Sequence, residues 1–326
     1  MNTQRITETI TAVIVPAFNA SPFLRLTINS VIAQSWPDWE LIVVDDGSSD
    51  DTANIVRDAA SLDARIRLVR KGNGGIASTL NAGLGHLEPQ HGFVAFLDHD
   101  DLWQPDTLAA LHRGLTGSAD AMASQGIGTY IDADGNRSLH GELERNFAER
   151  RKVADGKPVR CSSDEPVTFE CMVCQNTVPA SCILVRREAI DAVGQFDSEC
   201  DGCQDWDYWL RLTRIGPIAV VNAVTVLYRR HPGNFSIDHT RMERSVWYIY
   251  AKLLASGRES MEYRRTVVTG MRENQRGVAR LRMVWAARDL RHRRPLLAAM
   301  QAVRAARDYA RSIRSTGGYS PANIAR

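Results

Sequence analysis

The feature that most constrains this chain is the run from Gly92 to Trp103, G-F-V-A-F-L-D-H-D-D-L-W, where a short apolar stretch leads straight into three carboxylates. A brief, uninterrupted apolar run bounded by polar residues is the pattern of a strand covered on both faces. In open α/β sheets ligands bind just beyond the carboxyl ends of the strands. Asp98, Asp100 and Asp101 therefore stand where a ligand would sit. Carboxylates gathered this closely repel one another unless a cation lies between them, and a hard divalent ion with phosphate oxygens suits an all-oxygen site. The plainer alternative is a solvated turn whose acid caps the helix after Pro105.

Upstream, Thr11–Pro16 and Glu40–Val44 read as buried strands and Ile66–Val69 as a shorter one. The second strand ends on D-D-G-S-S-D, a second acidic strand end, at Asp45 and Asp46. Between the strands lie helical patterns. One runs to about Gln34, with Ser21 as N-cap and Pro22 behind it; another runs from Thr52 to about Ala60, and a third from Ile76 to about Leu87. Strands alternating with helices imply an α/β fold, a doubly wound and mostly parallel sheet. That topology sets Asp45, Asp46, Asp98 and Asp100 on one edge. The turn Lys71-Gly72-Asn73-Gly74-Gly75 can bring backbone N–H groups near a phosphate, although it matches neither a P-loop nor a dinucleotide fingerprint.

Farther on, Ala121–Gln125 and Gly128–Ile131 read as two short strands, and Leu139–Glu170 has no period and reads as a mobile loop near a site. Ser181–Val185, Ile218–Val221 and Val224–Tyr228 read as strands. Residues 203–212 have helical periodicity, with Asp205 at the start, where the helix dipole favours a carboxylate; an ordinary N-terminal helix acid explains it equally. His231, after two arginines, is either a surface residue or a neutral metal ligand. Six cysteines lie between 161 and 203, and two pairs, 171/174 and 200/203, have CxxC spacing. Their separation is longer than that of the usual four-thiolate zinc site, so buried thiols are expected, with zinc as the alternative.

With 326 residues, 44% of them hydrophobic, the chain can build one large or two smaller domains. The net charge of +2 conceals an asymmetry: residues 241–326 carry 19 Lys and Arg against 6 Asp and Glu. Helical patterns run there from about 240 to 314, with apolar stripes beside arginines. A basic amphipathic helix suits an anionic membrane surface; arginines merely solvated on a packed subdomain are the alternative. The aromatic–basic interleaving of a nucleic-acid groove is missing, so no nucleic-acid partner is expected. Without a visible signal peptide or an apolar run near the ~18 residues of a membrane span, a cytoplasmic location is expected. The inner face of the membrane is a further option.

Taken together, several ordered stretches resemble the family 2 glycosyltransferases of GT-A fold: V-I-V-P-A-F-N (13–19), the stretch 30–50 ending in V-V-D-D-G-S-S-D, N-G-G-I-A-S-T-L-N-A-G-L (73–84), F-L-D-H-D-D-L-W (96–103), Q-D-W-D-Y-W-L-R-L (204–212) and Y-R-R-H-P-G-N-F-S (228–236). The resemblance spans about 12–240. It implies a catalytic domain over 1–240, with 137–178 as a variable acceptor-side loop region, followed by a basic helical region over 241–326. It also implies inverting transfer from a UDP-, GDP- or dTDP-sugar to the hydroxyl of a glycan or lipid-linked acceptor, in cell-surface polysaccharide synthesis, with Mn²⁺ or Mg²⁺ as cofactor. By the same resemblance, Pro16, Ala17, Phe18, Asn19, Asp45, Asp46, Asn73, Asn81 and Asp98 would contact the donor. Asp100, with Asp98 and His231, would hold the metal, and Asp205 would be the general base. Gln204 departs from the family, where Glu is usual, as does Leu80, where Arg is common. Two alternatives are a polyprenyl-phosphate sugar transferase, which needs no base, and a non-catalytic sugar-nucleotide-binding module.

Overall fold

The structure, a computed structural model, describes residues 9–137, 147–200, 202–255, 259–291 and 294–313. These divide into two units. The first holds the described residues up to Ala148 together with Ser162–Thr168 and Thr177–Ser245; the second holds Glu149–Cys161, Phe169–Asn176 and the described residues from Val246 onward. The cut is thus not a single one near 240: most of the described residues of the stretch expected to be an acceptor-side loop cluster with the C-terminal helices.

In the first unit the chain runs β1 (Ile10–Ala17), α1 (Leu24–Ile32), β2 (Trp39–Asp45), α2 (Thr52–Leu62), β3 (Ile66–Arg70), α3 (Gly75–Leu84), β4 (His91–Phe96), β5 (Leu102–Trp103), α4 (Thr107–Thr116) and β6 (Ala123–Ile131). The second unit contributes β7 (Arg151–Ala154), β8 (Lys157–Arg160) and α5 (Phe169–Met172). Back in the first come β9 (Ile183–Arg186), α6 (Arg187–Val193), α7 (Gln204–Leu212) and β10 (Ile218–Arg229). The eight strands of the first unit form one sheet in the order β3-β2-β1-β4-β9-β6-β10-β5. Strands β3, β2, β1 and β4 are parallel neighbours, as are β6 and β10. Strand β9 is antiparallel to both neighbours, and β5 is antiparallel to β10. The expected doubly wound, mostly parallel sheet is present. Its strand order reverses between β1 and β4, which places the binding crevice beyond the ends of those two strands.

Alternation along the strands explains the unbroken apolar runs. Val13, Val15, Leu41 and Val43 face a core built with Leu24, Ile28 and Val31 of α1, Ile55 and Val56 of α2, and Leu108 and Leu111 of α4. Ala12, Ile42 and Val44 face the other way, toward Val69, Ala82 and Leu87. Both faces are covered, so successive residues of a strand are all apolar.

Three readings need correction. Strand β6 is one strand, and so is β10, whose register shifts between Val220 and Val226. Helix α1 begins at Leu24, not at Ser21 and Pro22, and has no side-chain cap. The backbone N–H groups of Asn19, Ala20 and Ser21 are tied instead to Ser48 Oγ, Thr52 Oγ1 and Asp50 Oδ2, so the β1–α1 loop is held by the β2–α2 loop. In the second unit, part of the supposed mobile loop is a β7–β8 hairpin that turns at Asp155 and Gly156, both with positive φ. Asp-Gly at a two-residue turn is the strongest short hairpin signal.

From α8 (His239–Ala255) the chain enters the second unit, which continues with α9 (Met261–Arg291) and α10 (Pro295–Ile313). Tyr250 of α8 donates to Val173 O at 2.7 Å and Asn274 of α9 to Cys174 O at 3.2 Å, which fixes the segment after α5. Buried Arg282 and Asp308 pair α9 with α10 at 2.9 Å. Among the described residues no helix is long and apolar enough to cross a membrane.

Candidate active site at the carboxyl edge of the sheet

The end of β1 supplies backbone. Pro16 and Ala17 are buried, whereas Phe18 is 46% exposed and Asn19 is exposed with φ 48°. Asn19 Oδ1 accepts from Ser49 N at 3.0 Å, and that bond holds the left-handed turn in place. Across the switch point, His99 Nδ1 lies 3.2 Å from Pro16 O. His99 therefore ties β4's end to β1's end.

The acids at the end of β2 have a different use from the one expected. Asp45 is fully buried, and its carboxylate accepts from Ser48 N at 2.9 Å and Arg70 Nε at 2.7 Å. Its bonds hold the turn after β2 and the end of β3 together. Asp46 accepts from Lys71 Nζ, from Gly74 N at 3.0 Å and from Gly75 N at 2.9 Å. Both of its oxygens thus anchor the glycine-rich turn that carries exposed Asn73. Gly47 belongs to the same knot: its φ is +77°, and a Cβ there would lie 3.0 Å from Asn73 N. Asn81 pairs with a distant backbone. Its amide donates to Phe196 O at 2.9 Å and accepts from Phe196 N at 2.7 Å, completing a backbone-like pair with a residue 115 positions away.

The cluster after β4 divides into distinct roles. Asp101 is 1% exposed. Its carboxylate accepts from Ser181 Oγ at 2.6 Å and from Arg229 N at 2.9 Å, and Ser181 Oγ also receives Asp98 N at 3.0 Å. Burial, then the charges of Asp100 and Asp98, push the Asp101 carboxyl well above the usual carboxylate range. Asp101 is therefore the buried hub that joins β4, β9 and β10. Arg229 adds Nε to Asp100 O at 2.9 Å and Nη1 to Ala133 O at 2.9 Å. Neither Ser181 nor Arg229 carries a sequence signal of this role, because their partners are distant in the chain.

Asp100 and His231, 131 positions apart, meet: His231 Nε2 is 2.9 Å from Asp100 Oδ2. Asn234 Nδ2 donates to the same oxygen at 3.0 Å and to Arg229 O at 3.0 Å. Asn234 was missed, although Asn in an H-P-G-N turn is an available signal. The His231 tautomer follows from its other nitrogen, since Nδ1 accepts from Gly233 N at 3.2 Å. The ring proton then sits on Nε2 and points at Asp100. A ligating histidine would instead carry that proton on Nδ1. In this geometry His231 Nε2 orients Asp100.

Asp100 Oδ1 has no hydrogen bond among the described residues. Asp98, and beyond it Asp205, complete the charge. The Asp98 carboxyl is raised to about 7 by burial, then by Asp100 and Asp205. Asp205 lies in the first turn of α7, with Oδ1 accepting Trp206 N at 2.8 Å. Three mutually repelling carboxylates and one open carboxylate oxygen fit a hard cation. Asp98 does not join Asp100 and His231 within ligating range. Among the described residues the one cluster of three such side chains within 4.8 Å is Asp197, Cys200 and Asp207. No four-cysteine zinc site forms among them. All six cysteines are buried and none is in a disulfide, and burial pushes the Cys174 and Cys203 thiols up to about 12.

The chain is similar to several known proteins. The family described as glycosyl transferase family 2 matches residues 12–173. The chain is 26% identical over 248 residues to the Bacillus subtilis protein TuaG, named as a teichuronic acid biosynthesis glycosyltransferase, covering 75% of this chain and 88% of that protein. Among solved structures, S. aureus TarS 1-349 in complex with UDP-GlcNAc matches with TM-score 0.53 at 16% identity, over 93% of this chain and 90% of that one. Mannosyltransferase PcManGT from Pyrobaculum calidifontis, in complex with GDP-Man and Mn²⁺, matches with TM-score 0.56 at 18% identity, over 93% and 88%. The shared architecture is the GT-A fold.

Proposed function

The chain belongs to glycosyl transferase family 2 and is a glycosyltransferase, and from that premise we propose that it moves a sugar, with inversion, from a nucleoside-diphosphate donor to a hydroxyl of a cell-surface polysaccharide or lipid-linked glycan. The single observation that carries this reading is the oriented Asp100, held by His231 and Asn234 with one oxygen open, beside Asp98 and Asp205. TuaG's name supports the polysaccharide class, and the ligands in the two structural neighbours support a nucleotide-sugar donor. The base and ribose would lie along the β1 end at Pro16–Asn19 and exposed Phe18, with Asp98 toward the ribose and phosphates.

In the reaction, the Asp205 carboxylate accepts the acceptor's hydroxyl proton while that oxygen bonds to the anomeric carbon. The bond from that carbon to the diphosphate oxygen breaks, and the nucleoside diphosphate departs with the electron pair. Asp100, through its open oxygen, would hold Mn²⁺ or Mg²⁺, which when bound offsets the charge developing on the diphosphate. His231 and Asn234 keep the Asp100 carboxylate aimed. The exposed apolar and basic residues of α9 and α10 support peripheral contact with an anionic membrane at its inner face, where lipid-linked acceptors would be met.

Release of nucleoside diphosphate from a panel of nucleotide sugars with Mn²⁺ tests the reading. Asp205→Asn is expected to lower turnover by about 100-fold or more while donor binding persists, the usual range for a lost general base. Turnover untouched by that change would remove Asp205 as base and favour a phosphate acceptor, which needs none. Activity that survives exhaustive chelation would remove the metal.

A further inference from the structure

A cavity of about 410 Å³ lies wholly within the second unit, between the end of α8, the first half of α9 and the β7–β8 turn at Gly156. This is within the range of small-ligand sites. Its lining combines apolar residues, including Leu254, Val268 and, 68% exposed, Met261, with Arg264, Arg265 and Arg272. Among the described residues no Asp or Glu lines the space.

The three guanidinium groups are poorly compensated. Arg264 Nη1 donates to Leu254 O at 3.1 Å. Arg265 and Arg272 have no hydrogen bond or ion pair among the described residues, and Arg272 Nε is buried without an acceptor. The carboxylate next to Arg272 in sequence, Glu273, is taken by Arg280, Arg151 and Arg276. A buried donor left without an acceptor is destabilising, and like charges add to that. An oxyanion relieves both, and the planar guanidinium fork matches phosphate better than any other side chain. The apolar part of the lining then has a use that a free anion would leave idle.

We propose that this cavity is a binding site for a phosphate-headed amphiphile, with the phosphate on Arg265 and Arg272 and the hydrocarbon along Leu254, Val268 and Met261. It shares no residue with the sugar-transfer site, so the two readings stand or fall separately. The phosphate could come from a lipid or from a soluble ester, and the two are distinguishable. The full-length protein is titrated calorimetrically with dihexanoyl phosphatidic acid below its micellar concentration, with glycerol 3-phosphate, and with uncharged dihexanoylglycerol. The phosphatidic acid is expected to bind one per chain, at least tenfold tighter than either fragment. Arg265→Gln and Arg272→Gln should each weaken it at least tenfold. Arg265 is exposed, so its variant keeps the test valid if Arg272→Gln fails to fold. Absence of phosphatidic acid binding, or unchanged affinity in Arg265→Gln, would overturn the site. Equal affinity for glycerol 3-phosphate would overturn the amphiphile.

Discussion

His112 shows how far burial can move a single group. It lies on α4, 5% exposed, stacked on Trp36 at 4.1 Å and edge-on to Phe93 at 4.7 Å, with Nε2 2.9 Å from Thr11 Oγ1. Burial lowers its pKa from 6.5 to about 4. Between those values the unfolded chain binds the proton and the folded chain does not, so stability is full above about pH 6.5 and falls as the pH drops toward 4. At about 1.4 kcal/mol per pKa unit the loss is on the order of 3 kcal/mol. Urea unfolding at pH 7 and pH 4.5 should show that drop in the wild type and a clearly smaller one in His112→Gln; parallel drops would refute the assignment. Legibility at this scale is uneven. Asp98, Asp100, Asp205 and His231 stand out because carboxylates at a strand end, an acid at a helix start and a histidine in a turn are local signals. The tautomer of His231 depends on Gly233 N–H, and the commitment of Asn81 depends on Phe196. The first is set within two residues of the same turn, whereas the second spans 115 positions and has no local trace.

Among elements, α3 and β1 meet at a glycine. A Cβ on Gly83 would lie 2.5 Å from Cγ2 of Ile14, a branched side chain that is fully buried in the strand. Alanine's better helix propensity favours the substitution by about 1 kcal/mol, whereas overpacking of this kind costs about 1–3 kcal/mol. Gly83→Ala is therefore expected to lower the urea midpoint, and a raised midpoint would show that Ile14 yields freely. The same effect explains a misread strand. Gly126 interrupts the apolar run in sequence and divides β6 into two apparent pieces. In the fold a Cβ there would lie 2.2 Å from Thr225 Oγ1, so the glycine permits close approach of β10 and breaks nothing. The strands β1, β2 and β4 were legible because both of their faces are covered. The β7–β8 hairpin was not, because its polar strands lack an apolar pattern and only the Asp-Gly turn marks it.

For the whole molecule, the acidic catalytic unit and the arginine-rich helices have separate surface chemistry. Along α10, Leu296 is 83% exposed, Met300 52% and Val303 70%, spaced four and three residues apart on one face. On the same helix Arg304 and Arg307 are exposed. Flotation with phosphatidylglycerol vesicles at low salt is expected, with loss at high salt as the charges are screened. Leu296→Asp with Val303→Asp should abolish it, and flotation unchanged by both substitutions would place the contact elsewhere.

The hub at Asp101 also sets a schedule. Its two partners, Ser181 and Arg229, lie 80 and 128 positions further along, and Arg229 closes the last long strand of the sheet. A ribosome adds about 5–20 residues per second and domains form as their residues emerge. The strands β1 to β4 can therefore pair well before Arg229 exists. Until it arrives the carboxylates of β4 have no backbone N–H from β10 and no His231 or Asn234. The unfinished chain is an apolar sheet with a raw acidic rim, and the rim is completed in one step, when residues 229–234 emerge.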